Sequence, residues 1–189
     1  MRELADLVLA APARLGAVRL VAVEGPSGSG KSTVADTLAQ DLAERGVCAR
    51  VVRTDHFATW TDPVGWWPRF VDGVLTPLAR GESGRYQRQD WSSGVPRPGS
   101  WVEVEVPEVL IFEGVSSGRR AVRPALSVLV WVEVSPPEVR LDLSVARDGE
   151  PARADFVRWQ AFERGWFAVD DPKAEADVLI ENRKYSVPV

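Results

Sequence analysis

Sulfur and imidazole are scarce in this chain of 189 residues, which has one cysteine (Cys48), one methionine and one histidine (His56). A lone thiol closes no intrachain disulfide, and Cys48 with His56 cannot supply the four ligands of a structural zinc site. Any bound metal must be held by oxygen. Positive charge is not in surplus either, since 23 Lys and Arg against 27 Asp and Glu leave a net charge of −4. That balance speaks against a nucleic-acid partner, because such proteins bind largely by neutralising phosphates. Long apolar runs are absent: none reaches the ~20 residues of a membrane span. The N-terminal stretch 7–13 follows Glu3 and Asp6, where a signal peptide carries positive charge. Leu4, Leu7, Val8, Ala11 and Leu15 space instead like one face of a helix. These absences lead to the expectation of a cytoplasmic protein with no membrane partner, and they leave homo-oligomerisation open.

What is present is alternation. Residues 18–23 form a β-branched, almost wholly apolar run of the kind buried on both faces of a parallel sheet. After a Gly-rich turn, Val34, Ala35, Leu38 and Leu42 recur at helical spacing, and Gly46 stands where a helix closes. Further strands are expected at 47–52, 109–112, 128–134 and 177–180. Helices are expected at 138–146, opened by Pro136 and Pro137, and at 153–164. The alternation predicts one α/β domain over 1–189 with a central parallel sheet. Residues from about 58 to 106 break the rhythm with Trp, Pro, Gly and Arg. Apart from a short helix at 71–78, they read as an elaborated insertion, the usual place for function in a compact domain.

The strongest motif is 25–33, Gly-Pro-Ser-Gly-Ser-Gly-Lys-Ser-Thr, which fills every fixed position of G-x-x-x-x-G-K-[ST]. Its glycines let the backbone wrap phosphate oxygens so that N–H groups and a helix N-terminus point inward. Gly25, Ser27, Gly28, Ser29, Gly30, Lys31, Ser32 and Thr33 are thus the expected nucleotide-binding residues. Lys31 is suited to the β- and γ-phosphates and the Ser32 hydroxyl to Mg²⁺. No Asn-Lys-x-Asp reads guanine, and the strand 109–112 ends in one acid, Glu113, rather than the pair of a motor ATPase. One acid suits metal duty alone. A second carboxylate would then have to meet an acceptor hydroxyl, and Asp55, just past the second strand, shares the crevice at the sheet's C-terminal edge.

Taken together, these residues resemble the uridine kinase and phosphoribulokinase group of P-loop kinases. The matching features are the loop 25–33, Asp55-His56-Phe57, Glu113-Gly114, Arg140-Leu141, Arg147-Asp148 and Ala176-Asp177-Val178. The resemblance implies a three-layer α/β/α sandwich of about five parallel strands, with ATP and Mg²⁺ as cofactors. It further implies Asp55 as catalytic base, Ser32 and Glu113 as magnesium ligands, and Arg140 and Arg147 in a mobile lid spanning about 140–155. Either Asp62 or Asp72 takes the place of an acid that meets a ribose diol. Tyr86, Arg88 and Asp90 are candidate pocket residues. Two departures stand out: Leu143 and Ser144 occupy places where the family adds arginines, and the segment 86–91 lacks the family's histidine.

The function expected is transfer of the γ-phosphate of ATP to a hydroxyl of a small molecule, with catalytic roles for Asp55, Lys31 and Arg147. A uridine or cytidine kinase is the nearest type. The alternatives are a nucleotide switch, a non-catalytic nucleotide-binding module, or a kinase for a non-nucleoside alcohol. Eight tryptophans are the remaining surplus. Trp60, Trp66, Trp67 and Trp91 fall in the insertion, on the presumed acceptor side, where flat rings can stack on a base or sugar. Trp131 falls in a strand, and Trp159 and Trp166 on the last helix.

Overall fold

Residues buried on both sides of a strand must find apolar partners above and below, and that requirement organises the molecule. The computed structural model describes residues 1–134 and 136–182. Its chain order begins with α1 (Arg2–Ala10), β1 (Arg19–Glu24), α2 (Lys31–Glu44) and β2 (Ala49–Arg53). The insertion follows, with helical segments α3 (Trp67–Phe70) and α4 (Thr76–Ala79) and strands β3 (Gly84–Asp90) and β4 (Arg97–Val104). The chain continues through β5 (Val109–Glu113), β6 (Leu126–Val134), α5 (Val139–Asp148), α6 (Arg153–Asp170) and β7 (Val178–Asn182).

Five strands form a parallel sheet in the order β2-β5-β1-β6-β7. All five were expected from apolar runs, within a few residues at each end. Alternate side chains of β1 and β5 serve two cores. Val21, Val23, Val109 and Ile111 meet α1 and α2 through Leu4, Val8, Leu38 and Leu42. Leu20, Ala22, Leu110 and Phe112 meet Phe57, Trp66, Phe70 and Leu78 of the insertion. The sheet is thus covered on both faces, as a parallel sheet must be. The chain leaves β1 for β2 on one side of it, whereas the connection from β5 crosses to β6 on the other, and a crevice opens where the C-terminal end of β1 meets the loop 25–30.

Three expectations need correction. The α1 face is shorter than the spacing predicts, since the helix ends at Ala10, Leu7 is exposed, and Leu15 is buried beyond it in a bridge to Val18. The insertion is more regular than its composition suggests, because β3 and β4 pair as an antiparallel hairpin. Its strands escape a periodicity search because Gln89 pairs with Pro98 across a register shift and much of the hairpin faces solvent. The helical segment is also longer than 71–78, running from Trp67 to Ala79 with a π-helical turn at Val71–Leu75. Pro77, which lacks an N–H and crowds the carbonyl four residues back, accounts for the widened turn.

The tryptophans divide by position. Trp66 is 1% exposed and stacks on Phe57 at 5.3 Å, so it belongs to the core beneath the site. Trp67 packs beside it, 5.7 Å from Phe70. Trp131 is buried against Phe167 at 5.0 Å. Trp101, on β4, is 56% exposed with the Arg85 guanidinium 4.5 Å from its ring centroid. Trp66→Ala should therefore cost about 3–5 kcal/mol in urea unfolding, whereas Trp101→Ala should stay within about 1 kcal/mol of wild type.

Candidate active site

The loop between β1 and α2 is shaped by positions where a side chain has no room. A Cβ on Gly25 would strike the Val132 carbonyl, and one on Gly28, at φ 75°, would lie 2.6 Å from the Arg140 carbonyl. The loop therefore lies close on β6 and α5. Helix α2 opens at Gly30 without a side-chain cap, which leaves its N-terminal N–H groups for an anion. Lys31 Nζ donates to the Pro26 carbonyl at 2.8 Å. Among the described residues the Ser27 and Ser29 hydroxyls are buried without a hydrogen-bond partner, as donors awaiting phosphate oxygens would be.

Two buried acids lie behind this loop, and neither carries a motif. Glu163 of α6 is 1% exposed, and its Oε1 accepts the Ser27 N–H at 2.8 Å. Its Oε2 accepts from Arg140 Nη1 at 3.2 Å, while the same nitrogen donates to the Ser27 carbonyl at 3.3 Å. Both main-chain polar groups of Ser27 are thus gripped by an ion pair. Arg140, expected to contact nucleotide from a lid, instead fastens α5 to the loop and stands outside the cleft wall. Glu24, at the end of β1, is fully buried. Burial pushes its carboxyl up to about 7, against the lowering effect of N–H donors from Gly118, Ser116 and Gly25 and of the Lys31 charge.

A cleft of about 970 Å³ opens over the loop. Its wall includes Ser27, Gly28, Gly30, Lys31, Ser32 and Thr33 from the loop, and Asp55, Glu113 and Arg147 from elsewhere. The Ser32 hydroxyl donates to Glu113 Oε1 at 3.0 Å, and Arg53 Nε lies 3.1 Å from the same oxygen. Burial raises the Glu113 carboxyl, with Lys31 opposing and Asp55 adding to the shift. One hydroxyl and one carboxylate side by side make an all-oxygen set suited to Mg²⁺, which keeps several waters and phosphate ligands of its own. Among the described residues no three Asp, Glu, His or Cys side chains converge, so the protein would supply only part of the coordination. Asp55 is exposed to the cleft. Arg147 forms a double hydrogen bond to Asp148, at 2.8 and 2.6 Å, which holds its guanidinium above the usual arginine range.

The acceptor-side expectations fare differently. Tyr86 is buried, its hydroxyl 2.7 Å from His56 Nδ1 and its ring 4.6 Å from Phe57. Burial pushes its phenol up to about 12 and lowers His56. Asp62 Oδ1 accepts the Gly65 N–H at 2.6 Å, which makes it a turn cap. Asp72 is exposed on the π-helical turn, Arg88 is exposed on β3, and Asp90 accepts the Ser92 N–H at 2.9 Å. None of these five lines the cleft. The aromatic wall comes instead from Trp60, Trp91, Phe156 and Trp159, with Trp60 meeting the other three rings edge-on at 5.1–5.9 Å. The Trp91 indole donates to the Asp55 main-chain carbonyl at 2.8 Å.

No protein-family model matches the chain, and no curated protein matches it in sequence. Solved structures do match. A candidate uridine kinase from Bacillus stearothermophilus superposes with TM-score 0.66 at 19% identity, covering 94% of this chain and 95% of that one. A candidate fructose transport system kinase from Silicibacter sp. superposes with TM-score 0.66 at 25% identity, covering 94% and 97%. A D-glycerate 3-kinase from Cryptococcus neoformans var. grubii gives TM-score 0.59 at 16% identity, covering 86% and 87%. The chain has the fold of uridine-kinase-like P-loop kinases, as its motifs imply.

Two consequences of the buried acids can be measured. Glu163→Ala leaves the Ser27 N–H without its acceptor and the buried Arg140 without its counter-charge, and should cost about 3–5 kcal/mol in urea unfolding, with Glu163→Ala/Arg140→Ala losing less than the sum of the single changes. Glu24 has a folded-state carboxyl raised from 4.5 to about 7, so the stability it contributes is complete below pH 4.5 and is lost as pH rises through 7. Between pH 4.5 and 8 wild type should lose about 3 kcal/mol more than Glu24→Gln does.

Proposed function

We propose that this protein is an ATP-dependent phosphotransferase that moves the γ-phosphate to a hydroxyl of a small molecule. The observation that carries the reading is the convergence of Lys31, the Ser32–Glu113 pair and Asp55 on one cleft above an uncapped helix N-terminus. Residues 1–189 act in this reading as one kinase domain, with the acceptor on the side of the insertion. The closing element is the part of the 140–155 region beyond the fastened Arg140, centred on Arg147.

Lys31 releases the Pro26 carbonyl and binds the β- and γ-phosphates, whose oxygens also meet loop N–H groups and the Ser27 and Ser29 hydroxyls. Ser32 and Glu113 would hold a magnesium ion, which when bound would supply charge neutralisation to the phosphate oxygens. Asp55 accepts the proton of the acceptor hydroxyl as its oxygen bonds to phosphorus and the bridging P–O bond to ADP breaks. Arg147, turning from Asp148, adds positive charge at the equatorial oxygens. Aromatic rings beside Asp55 support an acceptor with a flat, partly apolar face, of nucleoside or sugar size. The cleft favours the wider class of alcohols over a pyrimidine nucleoside in particular, because Tyr86, Arg88 and Asp90 stand outside its wall.

The reading is tested by measuring ADP release against nucleosides, sugars, vitamin alcohols and aminoglycosides, with the product identified by mass. Release should depend on one acceptor class and yield a product heavier by one phosphoryl group. Asp55→Asn should bind ATP as wild type does and lower kcat by about 10²–10⁴-fold. Transfer at the wild-type rate would remove Asp55 as the base.

A further inference from the structure

The turn that follows β5 has two faces with different duties. Glu113, Gly114 and Val115 line the cleft, while Ser116 and Gly118 point their N–H groups away from it, into the carboxylate of Glu24. Those bonds are short: 2.7 Å from Ser116 N to Oε1 and 2.6 Å from Gly118 N to Oε2. Ser116 is fully buried and has φ 71°, a left-handed conformation that a residue with a Cβ keeps only when its surroundings over-determine it. Arg119 supplies the other restraint, with Nη2 donating to the Ser116 hydroxyl at 2.9 Å and to the Val64 carbonyl at 3.1 Å. The rings of Trp66, Trp67 and Trp166 lie 4.5–5.3 Å from its guanidinium carbon. Lys31 and Arg119 are the charged groups that act on Glu24.

Glu24 is also the residue joined directly to Gly25, where the phosphate loop begins. One carboxylate therefore ties the start of the loop that carries Lys31 and Ser32 to the turn that carries Glu113. We infer that Glu24 is a positioning residue that fixes the separation of Ser32 and Glu113 and thereby sets the affinity for the divalent ion bound with the nucleotide. Glutamate suits this place because its two oxygens accept two N–H groups at once. Glutamine has one accepting oxygen, and its NH₂ would face a second donor. Aspartate keeps the charge but falls one methylene short of the turn.

This inference rests on the magnesium site of the proposed function, and calorimetry of ATP binding at pH 8, with and without Mg²⁺, separates the two. Wild type should bind ATP more tightly with Mg²⁺. For Glu24→Gln and Glu24→Asp, metal-free ATP affinity should be retained while the Mg²⁺ concentration for half-effect rises by about 10–100-fold, the usual range for outer-sphere partners of metal ligands. Amide hydrogen exchange on wild type supplies a measurement that needs no variant. Exchange at Ser116 and Gly118 should slow with ATP and Mg²⁺ together and not with ATP alone. Unchanged Mg²⁺ dependence in folded variants, or amides indifferent to the metal, would overturn the role of Glu24. Failure of wild type to bind ATP at all would overturn the functional reading instead.

Discussion

A phosphate-binding loop has to keep a row of N–H groups unpaired on one side, and the remainder of this structure follows from the effort of holding such a loop still. Unpaired backbone donors are costly when buried, so the loop's own hydrogen bonds, such as Ser29 N–H to the Pro26 carbonyl at 3.3 Å, cannot hold its shape alone. The rest is imposed from behind. The ion pair Glu163–Arg140 grips the main-chain N–H and carbonyl of Ser27, the packing of Gly25 and Gly28 on carbonyls of β6 and α5 removes slack, and Lys31 holds Pro26. Burial of such charges is a poor source of net stability. Its evident use here is geometric, since Glu163 and Glu24 each accept a main-chain N–H in or beside the site.

The aromatic residues do a second kind of holding. Phe57, Trp66, Phe70 and Phe112 form one packed group under the cleft, with Phe70 and Phe112 stacked at 3.9 Å. Arg119 reaches this group from the turn after β5 and places its charge over the tryptophan rings, so the turn is anchored to the core rather than to solvent. Higher up, Trp60 joins the hairpin side to α6 through Trp91, Phe156 and Trp159. The insertion therefore serves as both floor and rim of the cleft.

Much of this was legible beforehand, and the reason is local. Strands such as β1 and β6 announce themselves through unbroken apolar runs, and the phosphate loop through glycines at fixed spacing; both are properties of a few consecutive residues. Ser32 and Glu113 were paired from chemistry, and the structure brings them together. What escaped depends on distant partners. Glu163 meets Ser27 across 136 positions, and nothing near Glu163 distinguishes it from any helix acid except its place among apolar neighbours. Glu24 offered a fainter signal, an acid closing a strand otherwise buried on both faces. The bonds of Arg140 to Glu163 and Ser27 were not legible either, because a motif gives a residue's rank in a helix but not the direction of its guanidinium. The hairpin escaped because solvent-facing β3 and β4 carry Gln, Arg and Pro in place of an apolar alternation.

The bond between Arg147 and its own neighbour Asp148 has an electrostatic consequence for whatever enters the cleft. The adjacent charges cancel at a distance, so the end of α5 presents a dipole whose field decays faster than that of a free cation. An anion drifting past gains little from it. Only a ligand seated deep enough to offer oxygens in place of the Asp148 carboxylate can draw the guanidinium across, exchanging one double hydrogen bond for another. Attraction of this kind acts by contact rather than by range, and it favours a properly docked polyphosphate over the simple anions that a bare arginine would gather.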